Sequence, residues 1–141
     1  MTARERHESK SALEAAVCRE MVRQGLSHEH RSLHFRVHAG AKGRAKFSPA
    51  IVAHRGPILF LVEPVPTATR PSIDRLTRFL EQHSPEIVLV IVAPDPKVRT
   101  LPVGAYDEIY AESDIARMTQ RIREQDPDGI VLPFEKPRPA G

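Results

Sequence analysis

Apolar residues recur at helical spacing from about Ser9 or Ser11 to Gln24. Leu13, Ala16, Val17, Met21 and Val22 form one side, and Gly25 supplies a natural C-terminal stop. Ser27 to Ser32 is a polar connection. The period then changes to two. Leu33, Phe35 and Val37 alternate with His34, Arg36 and His38, which predicts a strand over 33–39 with one buried face. Gly40 to Lys46, GAKGRAK, is a basic loop. Phe47 to Ala53 and Ile58 to Glu63 are the next two predicted strands, joined as a hairpin by the turn His54-Arg55-Gly56-Pro57. Pro64, Pro66 and Pro71 interrupt the sheet. Ile73, Leu76, Phe79 and Leu80 then mark a second helix over Ser72 to His83. Glu86 to Ala93 is apolar almost throughout, the pattern of a central strand covered on both faces. Tyr106 to Tyr110 is a short strand. Ser113 caps a third helix with Ile115, Met118, Thr119 and Ile122 at helical spacing.

Helices on either side of three strands, followed by a buried strand, predict an α/β fold with a mixed sheet. The length, 141 residues, fits one domain. Its expected extent is 9–125, between a charged N-terminal tail over 1–8 and a Pro-rich extension over 126–141 that holds a turn and the short apolar run Ile130 to Phe134.

Composition narrows the possible functions. With no Trp, five Phe and two Tyr, base stacking on an aromatic platform is not expected. The single cysteine, Cys18, excludes an internal disulfide and a cysteine-only zinc site, and its setting is that of a small core residue. The N-terminus is charged, unlike a signal peptide, and no apolar run is long enough to span a bilayer, so the expectation is a cytoplasmic protein without a membrane partner. No GxGxxG or phosphate loop follows a strand. Net charge is +3 and the isoelectric point about 9.4. The charge is uneven: six Lys/Arg and no acid lie between Arg31 and Arg55.

Three segments carry a resemblance. Glu14 opens Glu14-Ala-Ala-Val-Cys-Arg-Glu-Met-Val-Arg-Gln-Gly25, Ser48-Pro49-Ala50-Ile51-Val52-Ala53 begins a strand, and Phe60-Leu61-Val62-Glu63-Pro64-Val65 ends one. In this order they resemble the PD-(D/E)xK nucleases, and within them small enzymes like the archaeal Holliday-junction resolvases, over roughly Ser9 to Pro94. The resemblance implies a restriction-endonuclease-like αβββαβ core, a mixed central sheet flanked by helices. It also implies a Mg²⁺ site made by an Asp and a Glu on neighbouring strands, with a Lys at the attacking water. Here the Asp position is Ala50 and the Lys position is Val65, so only Glu63 and Glu14 remain. Mg²⁺ asks for hard oxygen ligands in octahedral array, and Ala50 offers none.

The expectation is therefore a catalytically inactive nuclease-like domain that needs no cofactor and binds nucleic acid or a protein partner. Arg36, Lys42, Arg44, Lys46 and Arg55 are the candidate phosphate contacts. Two alternatives stand beside it. One is an active Mg²⁺-dependent nuclease with migrated ligands, using Glu14, Glu63 and His54 with Lys46 as cation. The other is a dimerising structural or regulatory module. His28 and His30 fall in the polar connection, and His34 and His38 lie about 13 Å apart at ~3.3 Å per residue. All four are expected on solvated surfaces rather than around a metal.

Overall fold

The computed structural model describes residues 10–38, 43–126 and 128. The expected tail over 1–8, Lys42 and nearly all of the C-terminal extension lie outside them. The first helix, α1, runs Ala12–Arg23, its first turn capped by the Ser11 hydroxyl, which accepts from the Glu14 amide. Strand β1 is Glu29–His30, β2 Phe35–His38, β3 Arg44–Phe47, β4 Ile51–Arg55 and β5 Ile58–Pro64. Helix α2 covers Arg70–Gln82 and opens with a reciprocal capping box between Thr69 and Ser72. Strand β6, Ile87–Ala93, leads through two 3₁₀ turns to β7, Glu108–Ala111, and α3 spans Ile115–Arg123.

The fold is α/β. Its main sheet has five strands in the order β1-β4-β5-β6-β7. β1 and β5 run antiparallel to β4, while β6 is parallel to β5 and β7 to β6. Gly56, at φ 59°, and Pro57 close the β4–β5 hairpin, with Arg55 still paired to Ile58. Since Pro cannot adopt positive φ, glycine must take the first turn position, as in a type II′ turn. The sheet has a core on each face. On one, Ile51, Ala53, Phe60, Val62, Val90 and Tyr110 meet Leu13, Val17 and Met21 of α1 and Met118 and Ile122 of α3. On the other, Val52, Leu61, Leu89 and Ile91 meet Leu76 and Phe79 of α2 and Val37 and Phe47 of the ribbon β2–β3. This two-sided burial explains the unbroken apolar run of β6.

Three expectations are corrected. The basic segment is not all loop: Arg44, Ala45 and Lys46 belong to β3. The predicted strand 47–53 is two strands in different layers. Phe47 ends β3, and Ser48-Pro49-Ala50 carries the chain across to β4 in the main sheet. Pro49 has no amide hydrogen to donate, so the ladder breaks there. The three successive strands expected over 33–63 are therefore a ribbon, β2–β3, and a hairpin, β4–β5, in different sheets. Thirdly, the polar connection after α1 contains β1, whose His30 side chain is 4% exposed.

A buried polar cluster fastens α3 to β7. Arg121 forms a two-nitrogen contact with Glu108 Oε2, at 3.2 and 2.8 Å, and donates to Gln125 Oε1 at 2.8 Å. The Tyr110 hydroxyl donates to the other Glu108 oxygen. The Arg121 guanidinium also lies 5.3 Å from the centroid of the Phe60 ring.

Candidate functional site

Helix α1 lays its first turns against β1. Glu14 is almost wholly buried there, 2% exposed. The Arg31 guanidinium grips both its oxygens, the His30 Nδ1–H donates to Oε2 at 2.8 Å, and the Lys10 amide donates to Oε1 at 3.3 Å. Burial works against the charge of Glu14, but the hydrogen bonds from Arg31 and His30 outweigh it and hold the carboxyl below its ordinary range. Arg31 is the one positive-φ residue besides glycine among those described, at φ 51°. Its amide donates to Ala50 O at 3.0 Å, which secures the turn leaving β1.

Glu63, near the end of β5, completes this end of the sheet. Its Oε1 accepts from the Ala50 amide at 2.8 Å. Burial pushes its pKa up to about 7, with help from the Glu14 charge. The Ala50 N–H, Arg31 and Arg75 pull the other way. Ala50, Glu63 and Glu14 thus lie together at this end of the sheet.

The group is nevertheless ill-suited to Mg²⁺. Ala50 contributes a methyl group and an amide donor. Both oxygens of Glu14 are held by donors, and one of Glu63 is. Val65, 6% exposed, is core. Positive charge reaches these carboxylates from the Arg31 guanidinium, and Glu63 from Arg75 as well. Of the proposed migrated ligands, His54 lies four residues along β4 from Ala50, about 13 Å at ~3.3 Å per residue. Lys46 faces outward on the ribbon.

That ribbon gathers most of the expected phosphate contacts. Arg36 pairs with Lys46 and His38 with Arg44. All four side chains are exposed, while Val37 and Phe47 on the opposite face are buried. Phe35 and Phe47 pack on Phe79 with ring centroids 5.0 and 4.8 Å apart. Between the ribbon and α2 lies an open cleft of about 550 Å³ lined by Arg70, Arg75 and Arg78, with Asp74 as its acid. Arg55 is not part of this surface. It lies on the other face of the sheet, donating to Arg123 O at 2.7 Å. Set against family models, curated proteins and solved structures, the chain finds no match.

The structure also assembles residues that the sequence reading separated. Cys18 lies one turn beyond Glu14 on α1, and His28 lies two residues before His30. Four helical residues advance about 6 Å and two strand residues about 6.6 Å, so the two pairs meet in register: Glu14 with His30, Cys18 with His28. Cys18 Sγ is 3.3 Å from His28 Nε2. The metal-capable atoms of Cys18, His28 and His30 all lie within 4.8 Å of one another. The i, i+4 and j, j+2 spacings are present in the sequence, but a two-residue strand is too short to show a period.

Proposed function

We propose that this chain is a nuclease-like domain without catalysis that binds the sugar-phosphate backbone of nucleic acid through the outer face of the β2–β3 ribbon. The carrying observation is the pairing of Arg36 with Lys46 and His38 with Arg44 on one exposed surface that holds no acid. Side chains on one face of an antiparallel pair stand about 5 Å apart, so like charges here repel one another and gain most from an anionic partner. The adjoining arginines of α2 widen the surface, and the scarcity of aromatics favours backbone contact over stacking. The carboxylate end supports the inactive half of the reading, because donors hold both oxygens of Glu14 and one of Glu63.

The test is binding of fluorescent duplex DNA and RNA across a salt series. Affinity is expected to fall steeply with salt. Replacing Arg36, Arg44 and Lys46 together by Gln is expected to reduce the logarithmic salt slope by about 3 on duplex DNA, near 0.9 per phosphate contact. Binding that is indifferent to both salt and these substitutions would overturn the assignment and favour a protein-binding module.

A further inference from the structure

We propose that Cys18, His28 and His30 form a binding site for a single Zn²⁺ ion. Three features of this cluster, none of them part of the ribbon, point to it.

The first is the donor set. One sulfur and two imidazole nitrogens suit a borderline cation and not Mg²⁺. The three donor atoms lie within 4.8 Å of one another. Bonds of about 2.3 Å to sulfur and 2.0–2.1 Å to nitrogen, in tetrahedral array, place donors roughly 3.3–3.7 Å apart. Cys18 and His28 already stand at 3.3 Å, and the widest pair has to close by only about 1 Å.

The second is the tautomer of each imidazole. His28 Nδ1 is 3.0 Å from the Leu26 carbonyl, an atom that can only accept. His28 therefore carries its proton on Nδ1, and in the neutral ring Nε2 presents a lone pair. His30 Nδ1 lies 2.8 Å from the Glu14 carboxylate, which fixes the same tautomer. A carbonyl behind one imidazole and a carboxylate behind the other are the outer partners that orient metal-bound histidines and raise their basicity. The two rings meet edge-on, with centroids 5.2 Å apart.

The third is the setting. His28 and His30 line a cleft of about 600 Å³ shared with Ser27, Glu29, Ser32 and His54, whereas Cys18 lies behind them in the core. A metal held by the three would lie between buried Cys18 and the two histidines that border this cleft. Zn²⁺ binding replaces the thiol proton, so each ion bound releases a proton to the buffer.

The experiment uses the full chain without a histidine tag, stripped with chelator and dialysed. Zn²⁺ titration followed by elemental analysis is expected to give one ion per chain. Calorimetry in buffers of different ionisation enthalpy should show the released proton. Co²⁺ used as a probe should give a thiolate-to-metal charge-transfer band and the intense visible absorption of a tetrahedral site. Cys18→Ala should abolish the charge-transfer band and weaken Zn²⁺ binding by more than a hundredfold. His28→Gln should weaken it comparably while leaving the thiol in place. Circular dichroism and melting of the metal-free variants establish that they fold. If Cys18→Ala is unfolded, His28→Gln together with the charge-transfer band of the wild type decides the matter. The proposal is overturned if the folded wild type takes up no stoichiometric Zn²⁺, or if its Co²⁺ spectrum lacks the thiolate band. It is also overturned if folded variants bind as the wild type does.

Discussion

Glu63 is the residue where chemistry and stability meet most sharply. A carboxyl whose pKa rises from 4.5 to about 7 on folding binds more protons folded than unfolded between those values. Stability therefore falls as pH rises through that window and levels off above 7. The effect amounts to at most about 3 kcal/mol, at 1.36 kcal/mol per unit. Glu63→Gln keeps an acceptor for the Ala50 amide and removes the titration. Denaturant unfolding from pH 4 to 8 is expected to show the variant equal to wild type at the acid end and progressively more stable above it. Parallel profiles would contradict this account. Residue identities at this end of the sheet were legible in part. Glu14, Ala50 and Glu63 were singled out by their place in the pattern. Arg31 was not, because its role depends on a backbone turn with φ 51° that no apolar period announces.

At the level of elements, the three helices and the central strand were readable because each has a long apolar stripe or run. Strand β2 was announced by the alternation over 33–39, but β3 and β1 were not: they have four and two residues, and the basic composition of 40–46 masked β3. The ribbon is joined to the rest chiefly through Val37, Phe35 and Phe47 on α2. Phe47→Ala is expected to cost about 3–5 kcal/mol and to weaken nucleic-acid binding even though no cation is removed. Retained affinity in a folded variant would separate the binding surface from the ribbon. The attachment of α3 invites a different substitution. Glu108→Ala strands a guanidinium whose side chain is 10% exposed, at a cost of about 3–5 kcal/mol. Replacing both partners, Glu108→Leu with Arg121→Met, should recover most of that loss in denaturant unfolding. A double variant as unstable as the single would show that the cluster does more than neutralise itself.

On the scale of the whole molecule, the mixed sheet with layers on both faces follows from the order of periods along the chain. The partition into a five-stranded sheet and a separate ribbon is announced by no period, because Ser48-Pro49-Ala50 changes layer inside the stretch 47–53 expected as one strand. The expected biochemical outcome is that the wild type cleaves neither DNA nor RNA with Mg²⁺ or Mn²⁺. Ala50→Asp with Val65→Lys restores the two side chains that the nuclease pattern calls for, yet little cleavage is expected. Val65 is packed in the core beside Leu76 and Phe79, so a lysine there carries a desolvation cost, and Arg31 still grips Glu14. Cleavage assays on plasmid, linear duplex, branched junction and single strands, with and without EDTA, check both statements. Strong wild-type cleavage that Glu63→Ala abolishes would put the migrated-ligand alternative first.

The packing of α1 beside α3 has a consequence for how the chain reaches this state. Gln24, just past α1, donates to Ala116 O of α3 at 3.0 Å, and both helices cover the same face of the sheet. During synthesis α3 emerges about ninety residues after α1, by the numbering of these two contacts. Until then Met21, Phe60 and Tyr110 lack Met118 and Ile122 as neighbours. The β4–β5 hairpin can form from local contacts, but the parallel pairs and this helix layer close loops of long sequence separation. The nascent chain therefore carries an apolar surface that α3 conceals, and release from the ribosome before residue 123 should yield a species prone to self-association.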